Sequence, residues 1–330
     1  MAGGKERALR RRIKSVQSTK KITKAMELIA ASRIMKAQQR VAAARPYSEQ
    51  ITEVIRNLAA AGAGQDSPLL QQRDEVRTIA YVVVAGDRGL CGGYNTNVIR
   101  AAERAVQADR ERGLDARIVT VGKKATSYFR FRGYEIDADF AGFSDEPSYE
   151  DARAIADVVV PRFEAGEYDQ VQLVYTQFIS AGTQRVVERR FVPLETDALE
   201  AAESTGPAAD YEFEPSPGQI LDRLLPRYAE ARLYAALLEG SASFFAAQQR
   251  AMKSATDNAE ELIVKLSRVM NRARQDAITT EIMEIVGGAE ALRQGQAGGA
   301  DLLADHALDV TDALGRQSLV PTASGPQRRT

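Results

Sequence analysis

Three places in this chain hold residue types that could do chemistry. They are the glycine-rich run Gly86-Asp-Arg-Gly-Leu-Cys-Gly-Gly93, the only cysteine, Cys91, inside it, and the only histidine, His306. A glycine-rich turn between a strand and a helix can present backbone amides to a phosphate. The spacing here is not G-x-G-x-x-G, and no G-x-x-x-x-G-K-[ST] occurs, so that reading competes with a purely structural or contact loop. No acidic residue ends the second strand to hold a ribose; Gly122-Lys123-Lys124 follows it instead. Cys91 could be a thiolate beside Arg88, or a small, partly buried side chain. A lone histidine in a glycine-rich tail permits no Ser/His/Asp or Cys/His arrangement, and a transition-metal site would have to be all-carboxylate. Asp137 and Asp139 fall where a loop is expected, and solvated charge is the default there. A single cysteine rules out an intramolecular disulfide. These residues point away from an enzyme, and to no cofactor and no metal.

The elements around the glycine-rich run alternate. Thr78–Ala85 reads as a buried strand from its β-branched content, and a helix follows from about Thr96 to Arg112, closed by Gly113. Arg117–Val121 reads as a strand, Lys123–Phe131 as a helix, and Tyr149–Glu164 as a helix with an interior Pro161. Gln170–Ile179 and Arg185–Pro193 read as a hairpin-like pair around Ser180-Ala-Gly182. Such alternation implies an open sheet with helices on its faces.

The two ends are different in kind. Glu6–Ala60 and Gln219–Val286 are nearly uninterrupted helical patterns, roughly 80 Å and 100 Å long at the α-helical rise. Helices of that length must pair with each other or be wrapped by another protein. Leu9, Ile13, Val16, Met26, Ile34, Val41, Ile51, Ile55 and Leu58 form one seam, with Ala30, Ala37 and Ala44 as small fillers. Met252, Ala259, Ile263, Leu266, Met270, Ala273 and Ala277 form the other. Spacing near 3.5 predicts a left-handed supercoil, antiparallel because the chain leaves and returns to one central domain. Thr19, Lys20, Thr23, Gln248, Gln249 and Thr256 interrupt the seams, and Pro46 and Pro226 should bend their helices. Met26–Met35 is apolar on more than one face, which favours a partner.

Charge sharpens this. The chain carries a net −1, yet residues 1–45 hold thirteen Lys/Arg against only Glu6 and Glu27. The N-terminal helix is therefore expected to face an acidic partner. No apolar run is long enough to span a membrane. The Arg-rich start could imitate a transit peptide, but the periodic pattern continues unbroken through it.

Three motifs are similar to those of the gamma subunit of F-type ATP synthases, bacterial type. They are Arg12-Ile-Lys-Ser-Val-Gln-Ser-Thr-Lys-Lys-Ile-Thr-Lys-Ala-Met26, Gly86-Asp-Arg-Gly-Leu-Cys-Gly-Gly-Tyr-Asn95, and Ala251-Met-Lys-Ser-Ala-Thr-Asp-Asn258 continuing through Asn271–Gln275 to Glu281–Ala289. The resemblance covers about residues 4–292. It implies a central rotor shaft, not catalytic itself, that couples ion flow to ATP synthesis or hydrolysis. Alpha and beta subunits would surround the coil, and the epsilon subunit and the proteolipid ring would meet the foot. One copy per complex, and a place at the cytoplasmic face of the bacterial cell membrane, are implied as well. By this resemblance Met26 faces an acidic lever loop of a beta subunit, with Lys20, Lys21, Lys24, Arg33 and Lys36 as complementary charge. Arg88, on the matched loop, joins these contact positions. Arg274 and Gln275 match catch residues that bond a beta-subunit loop, and Tyr211 and Glu214 match the foot segment.

The expected fold is α/β: a long antiparallel coiled coil plus a Rossmann-like open α/β domain. Its parts are a coil helix over 1–62, the α/β domain over 76–195, a polar loop over 196–216, a second coil helix over 217–292, and an extension over 293–330. Gly295, Gly298, Gly299, Gly315, Gly325, Pro321 and Pro326 should break that extension, leaving one short helix over Ala300–Leu314. Two rivals remain. A basic coiled coil could bind nucleic acid, although residues 1–45 hold no aromatic side chain. A nucleotide-dependent α/β enzyme would need the weak phosphate reading above.

Overall fold

The structure is a computed structural model that describes residues 2–60, 67–73, 75–194, 214 and 216–312, with only the backbone described at 2–3, 59–60 and 295–312. Tyr211 lies outside the described residues. The elements run α1 (Ala2–Ala60), β1 (Thr78–Val84), α2 (Tyr94–Glu111), β2 (Asp115–Val121), α3 (Lys123–Phe131), β3 (Ala138–Phe140), α4 (Tyr149–Glu164), β4 (Gln170–Phe178), β5 (Gln184–Val192) and α5 (Pro217–Asp312).

The sheet has the order β3-β2-β1-β4-β5. All neighbours are parallel except the β4–β5 pair, which is antiparallel. Alternate side chains of each strand serve two cores. Ala80, Val82 and Val84 join Ile155, Val159 and Phe163 of α4. Ile79, Tyr81 and Val83 join Val98, Ala102 and Val106 of α2 and Phe129 of α3. β1 is covered on both faces, which is why it reads as an unbroken apolar run. α4 begins with a capping box: Asp151 N donates to Ser148 Oγ at 3.2 Å, and Ser148 N donates to the Asp151 carboxylate at 2.8 Å.

The chain divides into two compact units, Val16–Glu261 and the residues up to Ser15 with those from Leu262 onward. Within the first unit α1 and α5 run in opposite directions. Lys20 Nζ lies 3.1 Å from Glu260, and Thr23 Oγ1 lies 2.8 Å from Thr256 Oγ1. Farther along, Ile34 shares a cluster with Phe245, and Ile55 shares the main core with Leu225. The coil base is therefore continuous with the domain core. Ile55, Leu58, Leu221 and Leu225 are fully buried there, each contributing about 1.5–3 kcal/mol from burial. Within the second unit Ile13 is buried, and Ile263, Leu266, Met270, Ala273 and Ala277 are half-buried. Pro46 and Pro226 sit inside their helices without ending them.

Thr23 and Thr256 do not interrupt the seam; they are part of it, both buried. Their hydroxyls bond each other, and Thr256 also donates to the Met252 carbonyl at 2.9 Å. Thr23→Val alone should destabilise the coil by about 0.5–1.5 kcal/mol, because the buried bond between the two hydroxyls is lost while Thr256 keeps only its bond to Met252. Thr23→Val with Thr256→Val should recover most of that loss. Urea midpoints of the three variants measure it, and strictly additive losses would contradict the pairing.

Three expectations change. β3 appears where a loop was expected, pairing Val119–Val121 of β2 with Ala138–Phe140. Asp137 is accordingly no solvated charge: it accepts from Tyr168 Oη at 2.6 Å and lies 3.5 Å from Arg162. Asp139 pairs with Arg130 at 2.9 Å. Finally, α5 runs on past Leu292 to Asp312 in place of a separate helix beginning at Ala300. Glycine costs a helix about 1 kcal/mol per residue but leaves its hydrogen bonds intact, so it weakens a helix without ending it.

Candidate functional site

The glycine-rich loop after β1 holds together four segments that are far apart in sequence. Asp87 organises them. Its carboxylate accepts from the amides of Lys123 at 3.0 Å, Gly142 at 2.9 Å and Ser144 at 3.2 Å, and its own amide donates to Ser144 Oγ at 2.9 Å. Burial pushes the Asp87 pKa up, but these hydrogen bonds together outweigh it and hold the acid below its ordinary value. Asn95 closes the loop from behind, accepting from Gly86 N at 2.8 Å and donating to the Arg88 carbonyl at 2.9 Å.

The segment so fixed, residues 142–146, reaches both long helices. Asp145 Oδ2 takes Arg33 of α1 at 3.0 Å and also pairs with Arg88. Glu146 takes Arg40 of α1 at 2.8 Å. Ser241 of α5 donates to the Asp145 carbonyl at 2.8 Å. The Arg33 guanidinium also stands 5.5 Å above the Phe245 ring, and Tyr94 Oη donates to the Gly240 carbonyl at 3.0 Å. α5 lies against the loop itself: a Cβ on Gly86 would come 3.1 Å from the Phe244 ring. The loop is a joint between coil and sheet.

Cys91 belongs to this joint. It is 2% exposed, accepts from Asn95 Nδ2 at 3.2 Å, and burial pushes its thiol pKa up. The thiolate reading fails because Arg88 directs its guanidinium to Asp145. Among the described residues no group of three or more His, Cys, Asp or Glu could hold a metal.

The contact residues expected from the sequence fall into groups. Arg33 and Arg88 meet on Asp145. Lys20 is held by Glu260, and Lys24 lies 3.1 Å from Glu27 one turn on. Met26 is half-buried on the seam side of α1, whereas Lys21 and Lys36 are exposed. Arg274 and Gln275 are exposed on α5, between the half-buried Ala273 and Ala277. Glu214 is exposed.

Two apolar surfaces complete the picture. Ile22, Leu28, Ile29 and Met35 stand exposed on α1, Met35 at 64%. On α5, Ile278, Ile282, Met283, Ile285, Val286 and Leu292 stand exposed, Met283 at 68%. The apolar character of Met26–Met35 on several faces was the signal for the first. The second has its signal in the apolar pattern that continues beyond Ala277, the last half-buried position among the described side chains of α5. No helix among the described residues is long and apolar enough to cross a membrane.

Residues 5–292 match the family model described as ATP synthase. The chain is 54% identical over 296 residues to the ATP synthase gamma chain of Parafrankia sp. (strain EAN1pec), covering 88% of this chain and 99% of that one. It is 49% identical over 300 residues to the ATP synthase gamma chain of Mycolicibacterium smegmatis, covering 87% and 97%. Among solved structures it resembles a chain of the Euglena gracilis mitochondrial ATP synthase OSCP/F1/c-ring, with a TM-score of 0.63 at 17% identity over 89% of this chain and 96% of that one. A chain of the Tetrahymena thermophila mitochondrial ATP synthase central stalk and c-ring gives 0.54 at 24% identity, over 71% and 99%. At those identities the structural likeness speaks for the fold.

Proposed function

This chain belongs to the ATP synthase gamma-chain family, and from that premise we propose that it is the central stalk of an F-type ATP synthase. As rotor it couples ion flow through the membrane ring to ATP synthesis or hydrolysis in the alpha/beta ring. Alpha and beta subunits surround the coil; the epsilon subunit and proteolipid ring meet the α/β domain. The chain is a peripheral part of a membrane-bound complex, on the cytoplasmic face of the bacterial cell membrane. It performs no catalysis itself: its one thiol is buried, and the glycine-rich loop is occupied in holding helices.

The observation that carries this reading is the pair of apolar surfaces, one on α1 opposite its sealed seam and one on α5 beyond Ala277, where every described side chain is exposed. A seam facing inward and an apolar stripe facing outward need a sleeve around them. On α1 the stripe is flanked by the exposed Lys21 and Lys36, which suits a partner surface that is apolar and acidic. Met26, Lys20, Lys24, Arg33 and Arg88 are then contact positions of a second kind. They shape and stiffen the surface from within: Lys20, Lys24, Arg33 and Arg88 are paired with carboxylates of this chain, and Met26 is half-buried on its seam. Arg274 and Gln275 meet a beta-subunit loop, and Glu214 belongs to the foot. The joint at Asp145 makes coil and α/β domain turn as one body.

The test is reconstitution with alpha and beta subunits in membranes containing the proteolipid ring. Wild type should support ATP hydrolysis tied to ion pumping, and the isolated chain should hydrolyse nothing. Lys21→Glu with Lys36→Glu should lower ions pumped per ATP severalfold while leaving the melting temperature of the free chain unchanged, since like-charge contact across an interface costs several kcal/mol whereas an exposed cation contributes little to folding. Full pumping by the double variant would remove the acidic-partner reading; failure of the wild-type chain to support turnover would remove the rotor reading.

A further inference from the structure

The two edges of the sheet differ. At one, β3 offers three residues. At the other, β5 offers nine, Gln184–Val192, with no proline among them. Among the described residues no strand lies beyond β5. Natural sheets usually shorten, bulge or cover such an edge. The irregularity in the β4–β5 ladder falls at Val171/Gln172, against the far end of β5, and leaves Gln184–Glu188 in regular register.

The hairpin fixes which backbone groups this edge presents. Ile179 N donates to the Thr183 carbonyl at 3.3 Å. Alternation from that pair turns the amides and carbonyls of Gln184, Val186 and Glu188 away from β4. Arg190 continues the same row, and its carbonyl accepts from Arg232 Nη2 of α5 at 3.1 Å, a side chain in place of a strand. The outward groups of Gln184, Val186 and Glu188 have no partner among the described residues.

Beside them runs a groove of about 950 Å³ between β5 and α2. Val186 and Glu188 line its strand side; Asn97, Arg100 and Arg104 line its helix side at a spacing of three to four residues, so they share one face of α2. Arg100 and Arg104 are exposed. Neither pairs with a carboxylate of the described residues, and Arg104 Nε donates only to the Arg100 carbonyl at 3.3 Å. Glu103, in the same groove, is taken by Arg132 at 3.2 Å and Tyr128 Oη at 2.8 Å. On the opposite face of β5, Arg185 reaches only the neutral Gln177 Oε1 at 3.4 Å. Glu188 is thus the one uncommitted carboxylate among three unanswered arginines.

We propose that β5 accepts an extended, acidic peptide segment of another protein as an added strand. Its backbone bonds Gln184, Val186 and Glu188, and its carboxylates meet Arg100 and Arg104. Main-chain pairing then supplies affinity, and the alternate side chains in the groove supply selectivity. The charges of β5 disfavour a second copy of this chain, because antiparallel pairing of two β5 strands about Val187 would set Arg185 against Arg189.

The probe is a capped heptapeptide alternating glutamate and valine, titrated into the full-length chain free of partners. Binding should saturate and slow hydrogen exchange at the amides of Gln184, Val186 and Glu188 on the order of tenfold or more, as pairing of a bare edge requires. Arg100→Glu with Arg104→Glu should weaken binding on the order of tenfold or more with the melting temperature unchanged, since both side chains are exposed. Two versions of the peptide, N-methylated on alternate amides, separate backbone pairing from plain charge attraction. Only one set of amides can face β5, so one version should lose binding and the other keep it. Equal affinity of the two versions overturns the proposal, as does binding that leaves exchange at Gln184–Glu188 unchanged, or no binding at millimolar peptide. Dimers of the chain that protect the same amides would assign the edge to a second copy and overturn it too. None of these outcomes depends on the rotor reading.

Discussion

Gly122→Ala should cost the α/β domain at least about 4 kcal/mol, the range reserved for a named structural violation. Gly122 follows β2 with φ near +100°, and a Cβ there would lie 2.2 Å from the Ala85 carbonyl oxygen and 2.7 Å from its carbon. Both opposing atoms are backbone at the end of β1, so no side chain can rotate away. The same peptide is fixed on its other side, because Gly122 N donates to the Phe140 carbonyl at 2.7 Å and Ala85 N to the Val121 carbonyl at 2.8 Å. Relief requires parting β1 from β2 or losing β3. Urea unfolding followed by tyrosine fluorescence should show a large drop in midpoint with the coil helicity retained longest. A midpoint within about 1 kcal/mol of wild type, the ordinary scale for a point change, would mean the backbone is not held as described.

Phe244→Ala should be nearly as costly, about 3–5 kcal/mol for a buried phenylalanine. The ring is 2% exposed, meets Tyr94 edge-on at 5.6 Å and Phe245 at 5.4 Å, and rests on Gly86. That last contact makes the prediction specific. Gly86→Ala alone should destabilise, since its methyl would come 3.1 Å from the ring. In the Phe244→Ala background the same change should cost less, because the methyl enters space the ring has left and keeps only its 3.2 Å contact with Asn95 Oδ1. The double-mutant cycle should therefore show a coupling of about 1–3 kcal/mol. Additive effects would show that α5 does not rest on the glycine-rich loop.

Both predictions concern a motif that was visible in the sequence but whose use was not. Local signals carried far. β-branched content located β1, the seam residues located both long helices, and Lys123–Phe131 and Tyr149–Glu164 emerged with the boundaries the structure has. β3 escaped because three residues at a sheet edge, Ala138–Phe140, leave no period to detect. The pairing of Arg33 and Arg88 on Asp145 escaped for a different reason. Charge complementarity between residues far apart in the chain carries no local signature, so a basic helix reads as waiting for a partner even when part of its charge is answered within the chain. Thr23 and Thr256 read as flaws in two separate seams; only side by side do they become one hydrogen-bonded layer. The continuation of α5 through Gly295, Gly298 and Gly299 reflects how little a glycine decides when the turns on either side are already helical.

In the cell, the six exposed apolar side chains of α5 after Ala277 set a rule of supply. A chain carrying such a stripe on one bare helix cannot be stockpiled: above a modest concentration, copies meet through the stripe before they meet anything else. Its safe level is therefore fixed by whatever covers the stripe. Surplus chain becomes work for chaperones and proteases, and matched synthesis with its covering subunits is a solubility requirement written into the surface of the protein itself.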